Sequence, residues 1–253
     1  MTEEQNPLKQ YSHLARRILA YACTFAIVAL GCSTVPEDAT KQNESWQGSA
    51  PTEFSTRIET SFRKRVTLLS HSEIESYLAK VANRLFSPSR NPVRVELMNG
   101  ANANLEPSVW SIPGGSVFFD VRLLRALRFE NEIAAALSLA WNRVDSKEFR
   151  ERMIEEAGKA DPRPETLWNF SETENTRAIE AAVDRMYKSG YDPRGLVSYF
   201  DRIPPRTKKE RADPLNEPLK EKARRTLSFY APLMNPIVRT EDFYRMRKRL
   251  ERL

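Results

Sequence analysis

Two imidazoles and two thiols, His13, His71, Cys23 and Cys32, are all that this sequence of 253 residues offers for transition-metal binding or thiol chemistry. A hydrolytic zinc centre of the His-His-Glu type needs two imidazoles one helical turn apart, and thiolate-based centres need several Cys. His13 and Cys23 fall in a leading segment that reads as an export signal, so one His and one Cys remain. Neither kind of zinc site can be assembled from them, and no cofactor is expected. A Ser-His-Asp arrangement would have to use His71, beside the start of a helix, and nothing in the spacing of nearby Ser and acids supports one. The 34 acids guarantee chance carboxylate pairs of the glycosidase kind without singling one out. No acidic loop has the ligand spacing of a calcium site.

The elements that would position a site follow from periodicity. Ser72-x-x-Glu75 predicts a capping box, followed by Ile74, Leu78, Val81 and Leu85 on one helical face. Val93 to Leu97 alternates with period two and predicts a strand. Ser108 to Ile112 and Ser116 to Phe119 predict two more, joined through Pro113-Gly114-Gly115 as a hairpin-like turn. A helix then carries Ile133, Leu137, Trp141 and Val144 with Ala134, Ala135, Ala136 and Ala140 between them, apolar enough to be buried on more than one side. A further helix over roughly Glu174 to Lys188 ends at Gly190-Tyr191-Asp192-Pro193, and Leu196 to Phe200 opens the next. The fold class expected is α+β, mostly helical, with a small antiparallel or mixed sheet.

Length and composition predict a globular protein of one or two domains: 40% of residues are hydrophobic, and 40 Lys+Arg face 34 Asp+Glu. Residues 1–31 read as a signal peptide, with Arg16-Arg17 before an apolar run from Ile18 that is too short to span a bilayer. The run ends in Ala29-Leu30-Gly31-Cys32, which resembles a bacterial lipobox. Cys32 is then the lipidated residue, and residues 32–52, rich in Ser, Thr, Pro and acids, form a flexible tether. Residues 53–253 form the domain. Between Asp201 and Leu253 stand 15 Lys+Arg and 8 Asp+Glu, so the basic character is concentrated at the C-terminal end, in runs such as Arg206-Thr207-Lys208-Lys209 and Arg245-Met246-Arg247-Lys248-Arg249. These runs carry no interleaved aromatics to stack bases, and no nucleic-acid partner is expected.

The order of strand, Pro113-Gly114-Gly115, strand, Leu123-Leu124, Glu130-Asn131-Glu132-Ile133-Ala134-Ala135-Ala136-Leu137, and later Ser189-Gly190-Tyr191-Asp192-Pro193, resembles the zinc metallopeptidases of the CAAX-prenyl-protease and HtpX-like kind. The final Asn235 to Phe243 is similar to the end of their periplasmic lipoprotein members. In that family a helix carries His-Glu-x-x-His, with the Glu as general base, and a Glu on a later helix completes the zinc site. The resemblance puts Leu139, Ala140 and Arg143 at the first motif and Arg177 at the later Glu, so the ligands and the base are all replaced.

Such a degenerate member keeps the means to bind without cleaving. The family lays substrate as an added strand along a sheet edge, which the resemblance assigns to Val109, Trp110, Ser111 and Ile112, with Gly114 and Gly115 allowing close backbone approach. Arg143 and Arg177 either swing outward or pair with local acids such as Glu132, Glu174 or Glu180, or the pair captures an anion such as a peptide carboxylate. The expected protein is a non-catalytic, lipid-anchored envelope protein on the periplasmic face of a bacterial outer membrane. It contacts the membrane through its N-terminal lipid and binds envelope proteins or peptides. The rival expectations are an active endopeptidase or unconventional hydrolase of envelope proteins, and a structural spacer.

Overall fold

A computed structural model describes residues 52–86, 93–114, 116–203 and 216–253. Cys32, Gly115, the signal segment, the tether up to Pro51 and the run Arg206 to Lys209 lie outside the described residues. Nine α-helices and four strands occur among the described residues, in the order α1 (Glu53–Arg65), β1 (Thr67–Leu69), α2 (Ser72–Leu85), β2 (Arg94–Asn99), β3 (Val109–Ile112), β4 (Ser116–Asp120), α3 (Val121–Ala126), α4 (Glu130–Val144), α5 (Lys147–Gly158), α6 (Glu172–Lys188), α7 (Gly195–Arg202), α8 (Glu217–Leu227) and α9 (Glu241–Leu250). The sheet is mixed, ordered β1-β2-β4-β3. β3 and β4 form the expected antiparallel hairpin, with Trp110 opposite Phe118. β4 also runs parallel to β2, with Val95 opposite Val117, and β1 closes the far side antiparallel to β2.

Alternation along the strands separates two cores. Val95, Leu97, Val109, Val117 and Phe119 face the larger one, shared with α2, α4, α6 and α7. Met98, Trp110, Ile112 and Phe118 face a smaller one, filled by Ile58 and Phe62 of α1 and by Phe149, Met153 and Ala157 of α5. The sheet is thus a middle layer, and β3 and β4 are buried at every residue, as strands covered on both faces must be.

Two local signals resolve differently from each other. The break after α6 forms as its sequence implies: Gly190 takes φ +79°, Tyr191 N–H donates to Met186 C=O at 3.0 Å, and Gly190 N–H to Tyr187 C=O at 3.1 Å, a Schellman turn. The Ser72–Glu75 capping box does not form. Ser72 is already helical, His71 precedes it without a side-chain cap, and Glu75 Oε1 instead accepts the Leu97 N–H at 3.2 Å. The carboxylate serves a neighbouring strand because β2 packs directly against α2.

Candidate functional site

The helix α4 is the element on which the site rests. Every residue from Glu130 to Trp141 is buried, because α2, β3, α6 and α7 all pack around it. Its N-terminus is fixed by Glu132, whose Oε2 accepts the Arg128 N–H at 2.6 Å and the Phe129 N–H at 3.2 Å, while Oε1 meets Arg202 Nε at 3.3 Å. Close approach by α7 is possible because residue 195 is glycine: a Cβ there would stand 2.6 Å from the Asn131 carbonyl oxygen. Glu130 accepts hydrogen bonds from the hydroxyls of Tyr191, at 3.1 Å, and Thr240, tying the helix start to the Gly190 turn and to the cap of α9.

α4 and α6 pack antiparallel. Ser138 Oγ reaches Ala182 C=O at 3.5 Å, and Arg143 Nε donates to Asn175 Oδ1 at 2.9 Å. Within this pair the four positions singled out by sequence have distinct environments. Leu139 is 1% exposed and belongs to the larger core, as does Ala140. Arg143 is half-buried, its guanidinium 5.4 Å from the centre of the Phe170 ring. Burial pushes that guanidinium below its ordinary range, opposed by Tyr199, whose own hydroxyl burial drives upward. Arg177 turns outward and meets Glu148 of α5 at 3.0 Å.

The two arginines therefore take separate partners, and neither uses the acids expected from sequence. Glu132 is held at the α4 cap. Glu180 pairs with Lys222. Glu174 caps α6 through the Ser171 N–H at 2.8 Å and lies 2.8 Å from Arg152 Nη1. Partner choice here follows helix geometry: Asn175 lies on the α6 face turned toward α4, whereas Arg177 lies on the face turned toward α5. Among the described residues no three His, Cys, Asp or Glu side chains converge on a point that could hold a metal ion.

Glu174 gives a pH prediction. Its burial alone would raise the carboxyl, but the Ser171 N–H and hydroxyl and the Arg152 guanidinium outweigh this and hold it below the ordinary carboxylate range. A depressed folded-state value means that its stabilisation is present above the unfolded value, about 4.3, and is lost as pH falls through the folded one. Glu174→Gln is expected to lose less stability than the parent between pH 7 and pH ~3.5, as read from urea midpoints at the two values.

The assigned binding edge is an edge in topology. Among the described residues β3 pairs only with β4, and the Asp120 N–H to Ser108 C=O bond at 3.1 Å sets the alternation. Ser108, Trp110 and Ile112 thus direct their main-chain groups at β4, whereas those of Val109 and Ser111 point away from it. The edge is nevertheless covered: Val109 is 4% exposed, Trp110 8%, and Ser111 and Ile112 0%. Gly114 turns the chain with φ 103°. Reading a strand from alternation shows which way side chains point, but not what is packed against its rim.

Sequence reading missed the aromatic row that links this edge to Arg143. Trp110 meets Trp168 edge-on at 4.9 Å, Trp168 meets Phe149 at 6.0 Å, Phe149 stacks on Phe170 at 6.0 Å, and Phe170 underlies Arg143. The signal available was the pair Trp168 and Phe170 in a short segment between two helices, too brief to show a period. On the α1 side of the same cluster, Phe62, Arg65, Ala103, Leu105 and Glu165 line a cavity of about 210 Å³. Comparison of the sequence with protein-family models and with curated proteins finds no match.

Proposed function

We propose that the chain is a lipid-anchored envelope protein with a metallopeptidase-like fold that binds other envelope polypeptides and does not hydrolyse them. The observation that carries this reading is α4 itself. Its Glu-Asn-Glu-Ile-Ala-Ala-Ala-Leu register lies beside β3, as a peptidase helix lies beside a substrate strand. The two positions that would face a metal hold a buried Leu139 and an Arg143 engaged with Asn175 and Phe170. A leucine has no lone pair to offer a metal, and a guanidinium repels one. Hydrolysis is lost with them, while strand addition needs only main-chain donors and acceptors.

Because Val109 and Ser111 are enclosed, a client strand reaches their outward main-chain groups only after the cover yields. Binding is then limited by a local opening, and association is expected to fall below the usual 10⁵–10⁷ M⁻¹s⁻¹, about 10⁴ or slower. Casein and denatured envelope proteins incubated with the full chain should remain intact, and bound zinc should stay far below one equivalent. A photo-crosslinker at Ser108, next to β3, should capture envelope polypeptides, whereas one at Leu68, on the opposite edge of the sheet, should not. Chelator-sensitive cleavage would overturn the non-catalytic reading. Equal capture from both edges would overturn strand addition at β3.

A further inference from the structure

Phe229 is 86% exposed and Met234 95%, the two most exposed large apolar side chains among the described residues. The other exposed ones stand at 39% to 47% and are scattered singly over the surface, which is ordinary. Phe229 and Met234 share one short segment between α8 and α9, in which Ala231 and Pro232 are exposed as well.

This exposure is held in place. At one end the Phe229 N–H donates to Thr226 C=O at 3.2 Å and the Tyr230 N–H to Leu227 C=O at 3.0 Å; at the other the Ile237 N–H donates to Gly190 C=O at 2.8 Å. Tyr230 is half-buried, its ring 5.0 Å from Tyr187 and its hydroxyl 3.4 Å from Asp184. The segment is pinned at its base, with its two apolar tips turned to solvent.

Charge completes the pattern. No acid stands between Ser228 and Thr240, and the one charged residue there is the cation Arg239. The last turn of α8 adds Arg224 and Arg225, and residues 216–253 contain ten Lys+Arg against five Asp+Glu. Arg224 and Arg225 are paired with Glu217 and Glu221, side chains that are themselves about half exposed and so exchange readily for lipid phosphates. An apolar tip, tyrosines behind it and a cationic rim form the arrangement that seats a protein at the boundary between headgroups and acyl chains.

We propose that the segment 228–235 is an interfacial foot that inserts Phe229 and Met234 into the surface of an anionic bilayer. The inference rests on the reading of Cys32 as a lipid anchor only in that the anchor supplies the bilayer, and the test reads the two separately. The full acylated chain carrying Met234→Cys is labelled with a polarity-sensitive fluorophore and reconstituted into phosphatidylcholine vesicles containing phosphatidylglycerol. The same label at Ile154→Cys, on α5, is the comparison.

The expected result is blue-shifted emission at 234, and quenching by lipids brominated near the headgroup that is severalfold stronger at 234 than at 154. The difference should shrink in vesicles of phosphatidylcholine alone and disappear with Phe229→Ser. Equal quenching at both sites overturns the proposal. So does a shift at 234 that needs no lipid and grows with protein concentration, which would assign the patch to contact between protein molecules. Thiol titration and vesicle pelleting report acylation of Cys32 independently. A chain that fails those is remade with Cys23→Ser and Cys32→Ser, so that position 234 carries the label alone, and is added to preformed vesicles, where quenching at 234 still decides the question.

Discussion

Trp141→Ala is expected to lower the unfolding free energy by about 3–5 kcal/mol, the range for a large aromatic removed from a packed core. Trp141 is 2% exposed and stacks on Phe86 with ring centres 4.0 Å apart and planes 15° from parallel. Phe86 is the residue that ends α2, and its N–H closes the last turn on Ala82 C=O at 2.9 Å. The Arg185 guanidinium of α6 lies 5.1 Å from the same ring. One indole therefore holds α4 against the end of α2 and, through Phe86, against α6. Removing it opens a cavity that the helices cannot close, since Leu139 and Ala140 beside it are already packed.

The readout is a urea or thermal unfolding curve followed by far-UV circular dichroism. For a domain of this size each kcal/mol moves the midpoint by about 2–4 °C, so a loss of roughly 6–20 °C is expected. Trp141→Phe keeps the stacking and should cost less than half as much. A loss below about 1 kcal/mol for the alanine variant would mean that Trp141 is not the keystone of the α2–α4–α6 junction. The result bears on the proposed function because the resemblance behind that proposal puts this residue between the positions of two metal ligands.

How much of this was legible in the sequence depends on how broad each apolar pattern is. α4 was visible because Ile133, Leu137, Trp141 and Val144 sit in a frame of alanines, and nearly all of that frame is buried. The β3–β4 hairpin was visible because alternation and a Pro-Gly-Gly turn coincide. α1 went unread because it buries only Ser55, Ile58 and Phe62, a thin stripe in a strongly charged helix. α5 likewise buries Phe149, Met153 and Ala157 and turns Arg150, Glu151 and Glu155 outward. Both were missed for the same reason, that one narrow seam suffices when a helix covers a single face of a sheet. The parallel pairing of β2 with β4 had no local signal, since strand order is decided by which hydrophobic faces meet. At the site, positions were legible and partners were not. Arg143 could be placed on α4 from spacing alone, but its choice of Asn175 over any acid depends on how α6 is rotated against it.

Four substitutions together, Leu139→His, Ala140→Glu, Arg143→His and Asn175→Glu, are expected to create a site for a single zinc ion between α4 and α6, where the described residues hold no cluster able to bind one. His at 139 and 143 would lie one turn apart on one face of α4, the spacing at which two imidazoles reach one metal. Position 175 lies on the α6 face turned toward α4, where its side chain already meets that of residue 143 at 2.9 Å; Arg177, on the face turned toward α5, is left in place. Removing Arg143 also deletes a cation that would repel the ion, and a carboxylate at 175 takes the place of the amide oxygen now 2.9 Å from Arg143 Nε.

Without metal the variant should be less stable than the parent by about 1–3 kcal/mol, because a polar ring replaces a leucine that is 1% exposed. Zinc at about 1,000 times its dissociation constant should restore about 4 kcal/mol, a rise of roughly 8–16 °C in midpoint with one equivalent bound. A register control carries Ser138→His, Leu139→Glu and Asn142→His with Asn175→Glu, which moves the motif back one residue. Ser138 faces the Ala182 carbonyl and Asn142 the Arg185 guanidinium, about two turns or more along α6 from position 175, so this pair of imidazoles is out of reach of the new carboxylate and should bind no stoichiometric zinc. Zinc in both variants, or in neither, would count against the proposed metallopeptidase-like register of α4, since any helical His pair would then do as well, or none would.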